Sequence, residues 1–100
     1  MSGKPLEFHP EAVVEAEAAV VWYRERSLRA AEAFLAKLED AIRIIRDAPE
    51  RWPAFHAGTR RLPLRRFLYF VVYRDGVHSS EVLAVAHGRR RPGYWRSRRE

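Results

Sequence analysis

The sequence predicts an α+β protein: one short N-terminal strand, an antiparallel helical hairpin, and a three-stranded antiparallel meander forming one small sheet. Two observations predict this order. Apolar residues recur at helical spacing over residues 11–47, whereas strand-like runs separated by turn signals occupy residues 59–87. A chain of 100 residues can bury one modest core. We therefore expect one domain over residues 1–100, with the hairpin against one face of the sheet.

The first strand and the first helix are predicted to adjoin. Leu6–His9 alternates apolar and polar residues, as a short strand does. Pro10 and Glu11 are typical of the first turn of a helix, which we expect to run to about Glu25. Its expected apolar stripe consists of Val13, Ala16, Val20 and Tyr23, widened by Val14, Ala18, Val21 and Trp22.

The second helix has the clearest periodicity in the chain. Ser27 is a suitable N-cap, and Pro49 disfavours helix in the residue before it. Only Glu25–Ser27 separate the two helices, which predicts an antiparallel hairpin. The apolar positions are Ala31, Phe34, Leu35, Leu38, Ala41, Ile42 and Ile45.

Three strands are predicted in the second half, after a loop over residues 49–58. Thr59–Arg65 contains Pro63, which cannot donate to a ladder and so places this strand at a sheet edge or a bulge. Phe67–Tyr73 is almost wholly apolar, as a central strand buried on both faces would be. Asp75-Gly76 signals a two-residue hairpin turn before the returning strand Val82–His87. A basic tail of about residues 88–100 follows.

Charge is unevenly distributed along the chain. Residues 1–50 hold seven Lys/Arg and ten Asp/Glu, a net of −3, whereas residues 51–100 hold twelve Arg and three acids, a net of +9. Arginine presents a planar fork of donors suited to phosphates and carboxylates. The second half therefore predicts an anionic partner, either nucleic acid or an acidic protein, in preference to a merely solubilising surface.

Several kinds of site are excluded or disfavoured by composition. The chain has no cysteine, so it has no disulfide, thiolate metal site or cysteine nucleophile. The spacing of His9, His56 and His78 indicates no metal site, and we expect no cofactor. No apolar stretch is long enough for a signal peptide or a membrane span, so we expect no membrane partner and a cytoplasmic protein.

Five local features follow one another over nearly the whole chain. They are Phe8–Ala12, Trp22-Tyr23, the Phe34–Ile45 helix running into Pro49, Arg60–Leu62 before Arg66-Phe67 and the Tyr69–Tyr73 strand, and Ala86–Pro92 leading into Tyr94-Trp95. In this order they resemble the RelE/ParE superfamily of bacterial type II toxins. The resemblance implies a toxin that is neutralised in a hetero-oligomer by a cognate ParD-like or other small antitoxin.

The superfamily has a ParE-like branch that acts on DNA gyrase and a RelE-like branch of ribosome-dependent mRNA endoribonucleases, and fold does not separate them. In a metal-free nuclease, Arg61 and Arg65 would stabilise charge on the phosphorane, and His87 would serve as base or acid. Arg90 and Tyr94 stand at spacings where the nuclease branch often has a functional arginine and tyrosine. A strand-end histidine is more often a hydrogen-bonded surface residue, so both roles for His87 stay open.

Two positions favour the ParE-like branch. An ungapped alignment on Tyr69 and Tyr73 puts Phe70 where RelE-like nucleases usually carry arginine, and Pro63 where they often carry lysine. We therefore predict a gyrase inhibitor that is not itself an enzyme, with the endoribonuclease as the alternative and a non-toxic nucleic-acid-binding module as a third class. The residues expected to bind the target or nucleic acid are Arg60, Arg61, Arg65, Arg66, Arg89, Arg90 and Arg91.

The large aromatic residues admit two interpretations. Trp22, Trp52 and Phe55 are candidate anchors for an acidic and apolar antitoxin segment, because large rings dominate binding energy. They are equally suited to filling the core. Tyr94 and Trp95 are likewise expected to pack the tail onto the sheet, with base stacking as the alternative.

Overall fold

The computed structural model describes residues 4–99, apart from the side chain of Arg99. Two α-helices precede most of a four-stranded sheet. The elements are β1 (Leu6–Phe8), α1 (Pro10–Arg26), α2 (Leu28–Asp47), β2 (Arg60–Leu64), β3 (Tyr69–Asp75) and β4 (Ser80–His87), with short 3₁₀ turns at His56–Gly58 and Arg96–Arg99. The predicted α+β class, element order and helical hairpin are confirmed. No helix within residues 4–99 is long and apolar enough to cross a membrane.

The sheet has the strand order β1-β4-β3-β2, so β3 is central and β2 is an edge, as Pro63 predicted. The meander β2-β3-β4 is antiparallel, whereas β1 pairs in parallel with β4 and makes the sheet mixed. The prediction of a two-residue turn at Asp75-Gly76 was wrong. Asp75 still pairs with Ser80 at the end of the ladder, and the N–H of Gly76 donates to the carbonyl of Ser79, so the turn spans four residues.

The two helices form a hairpin with one residue between them. Ser27 ends α1 and also caps α2, since its hydroxyl accepts from the N–H of Ala30 at 3.2 Å. At the other end of α1, the imidazole Nδ1 of His9 accepts from the N–H of Glu11 at 3.1 Å. This cap gives His9 a structural function at the start of α1.

The helix face of the sheet holds the larger core. Most residues of α2 at the predicted spacing are buried there, and Phe34 stacks on Tyr23 of α1 at 5.1 Å between ring centroids. The prediction was wrong for Leu35, which is 42% exposed, and Ile42 is only partly buried. The predicted stripe of α1 is confirmed in part, since Ala16, Val20 and Tyr23 pack against the core, but it is displaced: Val13 is exposed, and the small residues Ala12 and Ala19 are buried instead. The remaining buried members are Ala31, Leu38, Ala41, Ile45, Leu62, Leu64, Val71, Tyr73, Val82 and Val85.

The opposite face of the sheet, here called the tail face, is covered by the chain after β4. Trp95 is fully buried there against Val72 and Ala84, and Phe55 stacks on its ring at 5.6 Å with an interplanar angle of 23°. A register shift between Val72 and Tyr73 marks an irregularity in the β3–β4 ladder. The tail expected to be basic is therefore docked on the sheet through its aromatic residues, as one of the two interpretations predicted.

Candidate functional site

Two loops bring arginine residues to one end of the sheet. The β2–β3 turn and the segment after β4 meet there, since the N–H of Gly88 donates to the carbonyl of Leu68 at 2.6 Å. The strands that precede these loops, β2 and β4, both run antiparallel to β3, so the two loops lie at the same end of the sheet. We call this group the arginine edge. Its members are Arg65, Arg66, Arg89, Arg90 and Arg91.

Most of the charge on the arginine edge is unpaired. Within residues 4–99, the side chains of Arg65, Arg66, Arg89 and Arg91 have no hydrogen bond or ion pair, and all four residues are exposed. Arg66 also adopts a φ of +77°, a region that costs a side-chain-bearing residue about 1–3 kcal/mol. An uncompensated cluster of guanidinium forks is suited to an anionic partner.

Two arginines predicted to join this surface lie elsewhere. Arg60 pairs with Tyr73 at the far end of β2, and its guanidinium donates to the carbonyl of Trp52. Arg61 lies on the tail face, with its guanidinium carbon 4.4 Å from the ring centroid of Phe55. The structure thus separates Arg60 and Arg61 from the arginine edge.

His87 lies at the end of β4, opposite Tyr69. Its Nδ1 accepts a hydrogen bond from the backbone N–H of Arg89 at 3.0 Å, and its ring meets that of Tyr69 edge-on at 5.0 Å. Because Nδ1 is occupied as an acceptor, His87 fixes the start of the turn toward the arginine edge. Within residues 4–99, no three His, Cys, Asp or Glu side chains are grouped to hold a metal ion.

The candidate nuclease residues are divided between the two faces of the sheet. His87 is paired with Tyr69, which packs against the helix-face core, whereas Arg61 is paired with Val72 on the tail face. Pro63 and Phe70 are direct cross-strand partners. The two departures from the nuclease pattern are therefore neighbours, where an apolar surface replaces basic side chains.

Tyr94 is engaged by a residue that the sequence analysis missed. Its hydroxyl donates to Oε2 of Glu15, in α1, at 2.8 Å. Burial, followed by this hydrogen bond, raises the pKa of the Tyr94 hydroxyl well above its usual range, so the phenol stays protonated. Arg98 makes a two-pronged pair with the same carboxylate, with both N···O distances 3.0 Å.

The other contacts of Glu15 link α1 to β4. Oε1 of Glu15 accepts from the backbone N–H of Val85 at 3.0 Å, and Arg98 donates to the carbonyl of Leu83 at 3.0 Å. The side chains of Glu15 and Arg98 are 14% and 13% exposed, so solvent screens the pair little. No signal in the sequence singles out Glu15, because the buried side of α1 between Ala12 and Ala19 emerges only from tertiary packing.

The three candidate antitoxin anchors differ in exposure. Trp22 is 47% exposed, and the guanidinium of Arg26 lies 3.6 Å from its ring centroid. Phe55 is half-buried and belongs to the tail-face core. Trp52 is also half-buried, and it contributes to the wall of a cleft of about 230 Å³ between α2 and β2. The cleft is lined by Lys37, Asp40, Ala41, Arg43, Ile44, Trp52, Leu62, Pro63 and Arg65.

A family model matches this chain, and a solved structure shares its fold. The family model described as ParE toxin of the type II toxin–antitoxin system, parDE, matches residues 6–92. A solved structure of a chromosomal ParDE toxin–antitoxin system from P. aeruginosa has a similar fold, with a TM-score of 0.69 at 16% identity. That match covers 87% of this chain and 98% of the other. A search of curated proteins finds no match.

Proposed function

We propose that this chain, which belongs to the ParE toxin family, inhibits DNA gyrase by binding it through the arginine edge and cleaves no nucleic acid itself. As a family member it is the toxin component of a type II toxin–antitoxin system, and a cognate antitoxin is its partner. The observation that carries the proposal is the cluster of unpaired guanidinium groups contributed by two loops at one end of the sheet.

Binding through the arginine edge follows from its charge and exposure. Charged residues at the edge of an interface steer the encounter and raise the association rate. Gyrase working on DNA offers both carboxylates and phosphates, and the arginine fork recognises either group with two parallel hydrogen bonds. The exposed forks need no rearrangement of a buried salt bridge before they meet such a partner.

The endoribonuclease alternative has less support from the geometry. A general acid–base group must lie within hydrogen-bond reach of the atoms it serves. His87 and Arg61 project from opposite faces of the sheet, and the hydroxyl of Tyr94 is committed to Glu15. A substrate phosphate held by Arg61 would therefore lie across the sheet from the imidazole.

The test compares two triple variants that lose the same charge. Arg65, Arg89 and Arg91 are changed together to Gln, and the matched control changes Arg29, Arg46 and Arg51, which are exposed and lie outside the two loops of the arginine edge. We expect inhibition of gyrase supercoiling to fall at least about 10-fold for the first variant, since charge-assisted hydrogen bonds contribute ~1.5–3 kcal/mol each. The control should retain inhibition. Equal losses in both would contradict a localised binding surface.

A histidine variant separates binding from cleavage. His87→Gln should leave gyrase inhibition nearly intact, because binding requires no proton transfer. The same variant is assayed for cuts in ribosome-bound message, where we expect none for the unchanged protein either. Transcript cleavage that drops by ~10²–10⁴ in His87→Gln, the usual contribution of one general acid–base group, would favour the nuclease instead.

The cleft beside Trp52 is the site that we propose for an acidic and apolar segment of the antitoxin. Lys37 and Arg65 point charge into it without an ion-pair partner in residues 4–99, while Arg43 is already paired with Asp40 at 2.6 Å. A second cleft of about 200 Å³ shares Trp52 and leads to Phe55. Together they offer apolar walls for anchors and cations for carboxylates, and exposed Trp22 extends the apolar surface on α1.

Hydrogen exchange with and without the antitoxin tests this placement. A segment that folds on binding should slow exchange over residues 50–70, and over residues 11–25 if Trp22 is also covered. Lys37→Gln should weaken antitoxin binding, and the other lysine, Lys4, is unsuitable as a control because it is partly buried and pairs with Asp75. Arg46→Gln, on the same helix, serves instead. Unchanged protection in both ranges would rule out the proposed site.

A further inference from the structure

We infer that Glu15 is the positioning residue of the arginine edge: its carboxylate fixes the path of residues 88–98, and so the orientation of Arg90. This inference rests on the proposed binding of gyrase at that edge. Residues 88–98 contain no strand and only the start of a short 3₁₀ turn. Their path is instead determined by buried Trp95 and by the two side chains, Tyr94 and Arg98, that meet at Glu15.

Charge makes this dependence strong. Residues 88–98 hold five arginines and no acid, so they repel one another and gain nothing from local ion pairs. The ion pairs that they make within residues 4–99 are both with Glu15, through Arg98 at 3.0 Å and Arg90 at 3.9 Å. Burial disfavours the charge on Arg98, but hydrogen bonds to Glu15 outweigh it and raise the pKa of the guanidinium. The guanidinium of Arg98 therefore stays charged.

Arg90 connects the buried pair to the exposed edge. Its guanidinium carbon lies 3.7 Å from the ring centroid of Tyr94, whose hydroxyl Glu15 holds. Its backbone is held as well, because the N–H of Arg90 donates to the carbonyl of His87 at 3.0 Å. Arg89 and Arg91 flank it in the same turn. A substitution of Glu15 would therefore displace Tyr94, and with it Arg90 in the arginine edge.

Glu15 also accepts a backbone hydrogen bond from the part of β4 that β1 does not reach. β1 ends at Phe8, opposite Val82, so it does not reach the remainder of β4. The N–H of Val85, beyond that point, donates to Oε1 of Glu15. Glutamine at position 15 would have the same length and retain one acceptor oxygen, but it would lack the charge and the second oxygen that hold Arg98 and Tyr94.

The experiment compares Glu15→Gln with Glu17→Gln, an exposed acid on the same helix. In Glu15→Gln we expect faster exchange at the N–H groups of Arg96 and Arg98, which bond to the carbonyls of Gly93 and Trp95. By NMR of ¹³C-labelled tyrosine, the pKa of Tyr94 should fall towards its usual value. Gyrase inhibition should weaken ~10- to 100-fold, the effect of one or two charge-assisted hydrogen bonds, while antitoxin affinity changes less than about twofold. Glu17→Gln should change none of these.

A double-mutant cycle distinguishes positioning from mere stabilisation. Arg90→Gln should weaken inhibition by the unchanged protein, yet add little in the Glu15→Gln background, because Arg90 is already misplaced there. Additive effects, or unchanged inhibition despite faster exchange in residues 93–98, would overturn the positioning role. A parallel loss of antitoxin affinity and gyrase inhibition would do so too, by indicating general unfolding.

A second variant covers the case in which Glu15→Gln does not fold. Arg98→Lys keeps the positive charge and removes the two-pronged geometry, so it should show the same split between gyrase and antitoxin in milder form. Full inhibition by Arg98→Lys with a loosened tail would refute the inference. If the unchanged protein fails to inhibit gyrase, the proposed function is wrong. If it inhibits gyrase, but Glu15→Gln alters neither hydrogen exchange in the tail nor the titration of Tyr94, only the positioning role is wrong.

Discussion

The two faces of the sheet are covered in different ways. Helices of 17 and 20 residues pack on the helix face, and their buried side chains are almost all apolar. The tail face is covered by the segment after β4 and by Phe55 from the loop before β2, with Trp95 buried there and the partly buried Glu15–Arg98 pair beside it. The helix face buries more apolar side chains, so we expect it to supply most of the stability, and we expect the tail face to hold the arginine edge in place.

Each face buries one indole N–H that has no acceptor within residues 4–99, that of Trp52 on the helix face and that of Trp95 on the tail face, and an unmet buried donor costs about 1–3 kcal/mol. The two faces differ in backbone pairing, because the segment on the tail face has no strand and few backbone hydrogen bonds. Regions held by few backbone hydrogen bonds open before the whole molecule unfolds. We therefore expect the segment after His87 to open locally while the hairpin and sheet stay folded.

The largest expected effects come from removing one ring from each face. Phe34→Ala should lower the free energy of unfolding by about 3–5 kcal/mol, because Phe34 is fully buried at the centre of the helix face. The loss in Trp95→Ala should lie at the lower end of that range, because the segment after β4 can dissociate from the sheet without unfolding of the rest. Chemical denaturation gives both values.

Hydrogen exchange then distinguishes the faces. In Trp95→Ala, faster exchange should be confined to residues 88–98 and the end of β4, whereas Phe34→Ala should accelerate exchange throughout both helices. If Trp95→Ala accelerated α2 as much as Phe34→Ala does, the two faces would form one cooperative unit, and the comparison would be wrong.

The helix face was the more predictable of the two from sequence. The α2 periodicity, the Ser27 cap and the edge position of Pro63 follow from local rules of spacing, capping and hydrogen bonding. The displaced stripe of α1 did not, because alanine and valine alternate there on all sides and carry little directional signal. Its buried side is selected by tertiary packing of Ala12 and Ala19 against β4.

The site was less predictable, because it depends on contacts between distant residues. Glu15 meets Tyr94 and Arg98 across 79 and 83 positions of sequence. No local pattern joins those residues, and the separation of His87 from Arg61 emerges only from strand register. The charge excess of the second half predicted an anionic partner, and five of the seven candidate arginines meet at the arginine edge.

Two residues of α2 test the helix face at a smaller scale. Leu38→Ala should cost roughly 2–5 kcal/mol, because Leu38 is buried between α2 and the sheet. Ile42 is only partly buried, so Ile42→Ala should lie at the lower end of the same range. Thermal or chemical unfolding measures both. A loss below about 0.5 kcal/mol at both positions would mean that this stripe does not face the sheet.

The smallest expected effect concerns a tyrosine on the helix face. The hydroxyl of Tyr73 donates to the carbonyl of Pro49 at 2.7 Å, and burial raises its pKa from 10.0 to about 12. Tyr73→Phe should cost about 0.5–1.5 kcal/mol at neutral pH, the contribution of one hydrogen bond. In the unchanged protein, folding favours the neutral phenol, so the stability from this group is complete below pH 10.0 and is lost as the pH rises towards about 12.

Tyr73→Phe should therefore flatten the loss of stability above pH 10.0, and Tyr94→Phe should flatten it separately, since its pKa is raised on the tail face. Unfolding free energies measured from neutral to alkaline pH compare the two variants. At alkaline pH, Tyr73→Phe should raise the unfolding free energy of the whole fold above that of the unchanged protein. Tyr94→Phe should chiefly change hydrogen exchange in residues 88–98. An alkaline slope that neither substitution alters would show that other groups control it. A slope removed entirely by Tyr94→Phe would make the tail face, and not the helix face, the determinant of alkaline stability.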